Sequence, residues 1–233
     1  MKFIFINFFF SFLFVTSLST GLLSKNLEAF YKIEVGTINI GSLKWTVNIK
    51  DDSYKTSMFL KNKGLISGFY NFRGEYLSKG RVVKGEYIPS LYKQLWKTRK
   101  KTRKVEILFD KTMVSDLFLS PQEKEFSRID YLKIKGLVDP LSSFLNIIVN
   151  DKNSFKTIDG RRLYNLSIDL EKKDKNIISK KIFVKNYLNI WADHKRKDLK
   201  FIIIEQGLSD KKKFFPNTIK IKNKGLIFKL TRI

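Results

Sequence analysis

From Leu27 onward the chain is written almost entirely in period two, and one stretch departs from that pattern. Ala29, Tyr31, Ile33 and Val35 alternate with Glu28, Lys32 and Glu34 before Gly36-Thr37. Leu43, Trp45, Val47 and Ile49 alternate with Lys44, Asn48 and Lys50 before Asp51-Asp52-Ser53, and residues 54–60 return. Alternation places one kind of side chain on each face of a strand, and short turns of this composition join antiparallel neighbours. The exception is residues 139–150, DPLSSFLNIIVN. Asp139 can cap the free amides of a first helical turn, and Pro140 fits the first position, where its missing N–H costs nothing. At roughly 100° per residue, Leu141, Phe144, Leu145, Ile147, Ile148 and Val149 cover an arc of about 200°, with Ser142, Ser143 and Asn146 opposite. That arc is wider than one flat surface can cover, so a sheet should wrap this helix.

Further strands are expected at residues 72–77 and 82–96, joined by Ser78-Lys79-Gly80, with Pro89 marking an edge or a bulge. Residues 63–70 are open between a bulged strand and a short helical turn. Residues 105–109 and 113–119 pair across Asp110-Lys111. After the helix, strands are expected at 155–158, 162–170, 177–184, 187–191, 201–205, 214–222 and 226–230, with a turn at Asp159-Gly160. The fold class that follows is mainly β. A long antiparallel meander forms an open barrel or half-barrel curled around one principal helix, in a single domain over residues 20–233.

Ahead of that domain, Met1-Lys2 precedes 13 uncharged, mostly apolar residues, FIFINFFFSFLFV, and Ser17-Leu18-Ser19 supplies a small-residue exit. This pattern is that of a secretory signal over residues 1–19, extending at most to about residue 24, and it sends the domain to the periplasm. The alternative is an uncleaved anchor in the inner membrane, since no charge occurs from Phe3 to Ser24.

Cysteine is absent and histidine occurs once, at His194. Disulfides, thiolate chemistry and multi-histidine metal sites are thereby excluded, and no cofactor is expected. His194 follows Asp193, but no nucleophile elbow accompanies the pair, and the local composition is that of a charged turn. The protein is therefore expected not to be an enzyme.

The formal charge is +24, and residues 1–19 hold only one of those charges. Such an excess attracts polyanions, although an AT-rich genome imposes the same Lys, Asn, Ile and Phe bias on any protein. The densest tract is residues 97–104, KTRKKTRK, where Lys97, Arg99, Lys100, Lys101, Arg103 and Lys104 are candidates for binding an anionic headgroup. If the strand continues, Lys97, Arg99, Lys101 and Arg103 share one face; if the chain turns near Arg99–Lys101, they form a charged hairpin tip. Solubilisation, or protection of a sheet edge by lysines, is the plain alternative. Nucleic acid is disfavoured, because no interleaved stacking aromatics or known module accompanies the charge. Tyr31, Trp45, Phe59, Phe69, Phe72 and Tyr76 read as ordinary core or as the lining of an apolar cavity.

Tyr31…Val35-Gly36…Asn39-Ile40-Gly41, Tyr54, Gly64, Gly85…Tyr87…Pro89, Phe109-Asp110, Asp139…Leu141-Ser142, Asp159-Gly160-Arg161, Trp191 and Pro216…Gly225 occur in that order. In this the chain resembles the exported bacterial domain-of-unknown-function family 3108 over about residues 28–230. The resemblance implies a β-rich envelope domain and no catalytic residues. Two functional expectations remain: a noncatalytic periplasmic protein binding lipid or another amphiphile beside an anionic membrane surface, or an envelope scaffold that binds another protein through a sheet edge. If the signal is cleaved after Ser19, chain recovered from a Gram-negative host should begin at Thr20 by intact-mass measurement. Retention of Met1 would instead support the anchor.

Overall fold

The computed structural model describes residues 24–62, 71–150, 153–174, 176–191, 199–207 and 214–233. The leader, the ambiguous stretch 63–70 and the turn holding His194 lie outside them. Fourteen strands form one sheet. They are β1 (Ser24–Val35), β2 (Ile38–Lys50), β3 (Ser53–Asn62), β4 (Phe72–Val83), β5 (Glu86–Thr98), β6 (Thr102–Asp110) and β7 (Met113–Ser120), then β8 (Leu137–Val138), β9 (Ser154–Ile158), β10 (Arg162–Asp174), β11 (Ile177–Asn189), β12 (Leu199–Gly207), β13 (Thr218–Asn223) and β14 (Leu226–Arg232). The helix α1 (Pro140–Val149) lies between β8 and β9.

Each strand pairs antiparallel with its sequence neighbour through β1–β7 and through β9–β14, and β1 pairs with β14 in the register Tyr31 to Arg232. Among the described residues, the one parallel pair is β8–β9. The two edges of the sheet, β7 and β8, are turned towards each other, and the Leu137 N–H donates to the Thr112 carbonyl at 2.9 Å. The result is a nearly closed barrel around the helix, as the alternating pattern required.

Its polarity is inward apolar. Tyr31, Trp45, Val47, Ile107 and Ile182 are fully buried inside, whereas the outer face carries ion pairs such as Lys44–Glu28 and Lys93–Glu106. A membrane-spanning barrel has the opposite arrangement.

One expected turn is displaced. The β4–β5 turn is Lys84-Gly85, where φ is +51° and +80°, the left-handed values a tight hairpin turn requires. Ser78-Lys79-Gly80 lies inside β4, and the register shifts between Lys79 and Gly80. Gly80 faces Pro89 there, and a Cβ on it would sit 2.0 Å from the Ile88 carbonyl oxygen. Both residues thus mark a bulge, where a proline without an N–H and a close backbone approach are tolerated.

The helix begins as its sequence dictates. Asp139 Oδ1 accepts from the N–H groups of Leu141 at 2.8 Å and Ser142 at 3.1 Å, with Pro140 at the first position. The polar face is not solvated. Asn146 Oδ1 accepts from the Tyr87 N–H at 2.8 Å and its Nδ2 donates to the Tyr87 carbonyl at 3.0 Å, so one side chain satisfies both backbone groups of a strand residue. Ser143 Oγ donates to the Asp139 carbonyl at 2.9 Å and lies 2.8 Å from Thr157 Oγ1. At the other end, Lys180 Nζ donates to the Ile147 carbonyl at 3.2 Å, placing a cation where the helix dipole is negative.

Replacing Asn146 by Ala leaves the Tyr87 N–H and C=O buried without partners. The cost should be about 2–4 kcal/mol, read as a lower urea midpoint at unchanged slope. A loss under about 0.5 kcal/mol would contradict the assigned pairing.

Candidate functional site

Strand and helix lengths set the first condition. Ten helical residues span about 15 Å, whereas strands of 12–13 residues run about 40 Å before tilt. The helix therefore fills only part of the barrel. Its last turn lies by the β4–β5 turn, since Asn150 Nδ2 donates to the Gly85 carbonyl at 3.0 Å. Above its first turn, towards the end holding the β1–β2, β5–β6 and β13–β14 turns, a cavity of about 340 Å³ remains.

Pro140, Leu141 and Phe144 form the floor of the cavity. Leu43, Leu60, Ile202, Ile219, Ile221 and Leu230 give it an apolar wall from β2, β3 and β12–β14. The opposite wall, from β4, β5 and β10, is polar: Tyr76, Tyr92, Gln94, Arg162 and Tyr164, with Asp159 beside them. Two larger hollows, of about 400 and 460 Å³, include charged residues in their walls, Lys93, Lys104 and Glu106 in one and Glu123, Lys124 and Glu125 in the other. The interior cavity couples apolar surface to a few convergent polar groups, the usual constitution of a ligand site.

Arg162 is fixed within that wall. Its Nε donates to Asp159 Oδ2 at 2.8 Å, Nη2 lies 2.6 Å from the same oxygen, and Nη1 donates to the Tyr187 hydroxyl at 3.0 Å. Burial works against the guanidinium charge, but Asp159 and the neighbouring tyrosines outweigh it, so the proton is held more firmly than usual. Asp159 Oδ1 accepts from the N–H groups of Arg161 at 3.0 Å and Arg162 at 2.9 Å, which makes the Asp159-Gly160 turn.

The tyrosines are donors held in reserve. Burial, and then the Asp159 charge, push the Tyr76 phenol up to about 12. Burial raises those of Tyr92 and Tyr164 well above the ordinary value. All three keep their O–H protons at neutral pH. Tyr92 reaches Gln94 Oε1 only at 3.4 Å, and neither Tyr76 nor Tyr164 spends its hydroxyl on a hydrogen bond among the described residues. These groups were legible only in part: Tyr76 stands among the candidate lining residues of the sequence, whereas Tyr164 and Gln94 carry no motif. Tyr31 and Trp45 are packed core; Phe59 lies under Arg73 and Phe72 stacks on Trp96. Phe69 lies outside the described residues.

The basic tract is not one stripe. The chain turns at Arg99-Lys100-Lys101, between the paired Lys97 and Thr102, giving the hairpin tip of the two readings. Lys97, Arg99, Lys100, Lys101 and Lys104 are exposed, while Arg103 is half-buried on the face shared with Val105. None of the six lines the interior cavity, although the tip lies at the same end of the barrel.

Below the floor, Asp139 anchors a second polar group. Its Oδ2 accepts from Ser78 Oγ at 2.8 Å and from Ser142 Oγ, and the Tyr54 hydroxyl lies 2.6 Å from Ser142 Oγ. With Asp139 ionised, both serines donate to it and Tyr54 donates to Ser142. Each carboxylate oxygen already accepts two hydrogen bonds, so the array holds the helix and leaves no lone pair for chemistry. Burial raises the Asp139 carboxyl above its usual range; the Ser142, Ser78 and Leu141 donors pull it down without cancelling that effect.

A carboxyl held more tightly protonated in the folded chain adds stability below its unfolded pKa, and loses it as pH rises through the raised folded value. Asp139→Asn abolishes this dependence. The stability of the parent relative to Asp139→Asn should therefore fall as pH rises above the ordinary carboxylate pKa, measured by urea unfolding. A difference that stays flat or grows would contradict the raised value.

A search of curated proteins found no match. Among solved structures, the chain is similar to the β-barrel-like protein of domain of unknown function DUF1849 from Brucella abortus. The two are 10% identical with a TM-score of 0.53, over 91% of this chain and 97% of that one. At that identity the likeness concerns the fold. The model of the family described as "Protein of unknown function (DUF3108)" matches residues 30–190, from β1 to the end of β11 and including the helix and the polar wall. The chain belongs to the DUF3108 family.

Proposed function

We propose that this protein is a noncatalytic, exported binding protein whose barrel cavity takes an amphiphile of the cell envelope. The observation that carries the reading is the two-walled cavity. Leu43, Leu60, Ile202 and Ile221 offer a surface for an apolar chain, while the Tyr76 and Tyr164 hydroxyls and the Arg162 guanidinium face an oxygen-bearing head. A methylene takes about the room of a water, roughly 30 Å³, so about 340 Å³ suits one chain of about a dozen carbons. Donors dominate the polar wall, and a head that accepts hydrogen bonds, a carboxylate or a hydroxylated ester, fits it better than an amine.

Three features support the rest of the reading. Asp139, Ser78 and Ser142 are committed to holding the helix, which favours binding over turnover. The leader-like residues 1–19 favour export to the periplasm. The scaffold alternative has less to work with where the two sheet edges meet, since Leu137 there already pairs with Thr112.

Native mass spectrometry of gently recovered protein should show a bound lipid-sized mass. Ile221→Trp, which fills the cavity, should remove that mass and weaken uptake of a fluorescent fatty acid at least about tenfold while the protein stays folded. Tyr76→Phe combined with Tyr164→Phe should weaken uptake about thirtyfold through two lost hydrogen bonds of about 1 kcal/mol each. A bare chain in every preparation, with no uptake of the probe, would overturn the reading.

A further inference from the structure

Three turns at the cavity end of the barrel bring positive charge and exposed apolar side chains together. Strand registers place the β1–β2, β5–β6 and β13–β14 turns at the cavity end. Those turns are Gly36-Thr37, Arg99-Lys100-Lys101 and Lys224-Gly225, with four basic residues and no acid. At the opposite end the β2–β3, β4–β5 and β6–β7 turns are Asp51-Asp52, Lys84-Gly85 and Lys111-Thr112, in which two acids balance two bases.

Exposed apolar residues occur at both ends, Val83 and Ile177 at the far one, but at one place on the rim they adjoin the basic turns. Strands β1 and β14 are neighbours, so their turns at the cavity end lie side by side. Immediately after those turns Ile38 is 58% exposed, Leu226 51% and Ile227 49%. Three large aliphatic side chains in water, next to Lys224 and across the rim from the Arg99–Lys101 tip, have no task within the fold. Cations that approach anionic headgroups, with short aliphatic side chains that enter the interface between them, are the two components of peripheral membrane attachment.

We infer that the barrel docks end-on to an anionic phospholipid surface through these three turns, with the cavity end facing the bilayer. Arg99, Lys100, Lys101 and Lys224 supply the electrostatic attraction, and Ile38, Leu226 and Ile227 insert at headgroup depth. Docking in this orientation would bring the cavity and the membrane together. The inference concerns residues outside the cavity, so it stands or falls separately from what the cavity binds.

The chain contains no cysteine, so a single introduced one can be labelled cleanly. Thr37→Cys at the rim and Asn176→Cys in the β10–β11 turn at the far end should each be labelled with a polarity-sensitive fluorophore. Vesicles of phosphatidylglycerol and phosphatidylcholine are then added. The expected result is a blue shift at position 37 and none at position 176, lost with phosphatidylcholine alone and at high salt. Joint replacement of Arg99, Lys100 and Lys101 by Gln should weaken the partitioning by about a hundredfold. Ile38→Ser with Leu226→Ser should abolish the blue shift at position 37. Equal shifts at both positions, no shift at position 37, or binding indifferent to the tip substitutions would overturn the docking mode. A leader still attached to the chain could carry protein to vesicles, but it would not produce the contrast between the two labels.

Discussion

Everything in this barrel depends on how a helix with polar side chains on one face is buried without orphaning a hydrogen bond. An unpaired amide or hydroxyl in the interior costs about 1–3 kcal/mol, comparable to a sizeable fraction of a domain's stability. Asp139 meets the free amides of the first turn and two serine hydroxyls, Asn146 completes the backbone of Tyr87, and Lys180 meets the Ile147 carbonyl. The partners come from β4, β5 and β11, so the polar contacts also fix the helix in rotation and depth. Apolar packing of Leu145 and Ile147 supplies burial, but a greasy cylinder could slide or turn. The polar face allows one position.

That position leaves the cavity. The helix is short and is tied to the end of the barrel that holds the Gly85 turn, so the interior beyond its first turn must be filled by strand side chains alone. On one side these are aliphatic, and they close in without polar groups to satisfy. On the other, Asp159 and Arg162 neutralise each other and leave tyrosine hydroxyls facing open space. The same economy of hydrogen bonds that locks the lower half is relaxed in the upper half, and that contrast separates scaffold from site.

The sequence disclosed the architecture more readily than the site. Alternation around Tyr31 and Trp45, and the Asp139-Pro140 start of the helix, are local signals that survive tertiary packing, and both are realised. The β4–β5 turn was displaced because Gly80 suggests a turn, while the structure uses it where the Ile88 backbone comes too close for a side chain. What Ser142, Ser143 and Asn146 meet was not legible, since sequence spacing cannot tell water from a strand of partners. The neighbouring Arg161 and Arg162 go to different carboxylates, Glu123 and Asp159, a division that no local pattern marks. Tyr164 and Gln94 join the site through registers set dozens of residues away, which no local pattern records.

The pairing of β1 with β14 has a consequence in time. Tyr31 lies opposite Arg232, so the first strand obtains one of its two neighbours from the last residues of the chain. Contacts of such sequence separation are the slow step of β-rich folding. Until residues 226–232 are present, β1 remains an open edge and the helix sits in a trough rather than a barrel. The ring closes only after β14 has been delivered, so the interior is the last part of the molecule to be sealed.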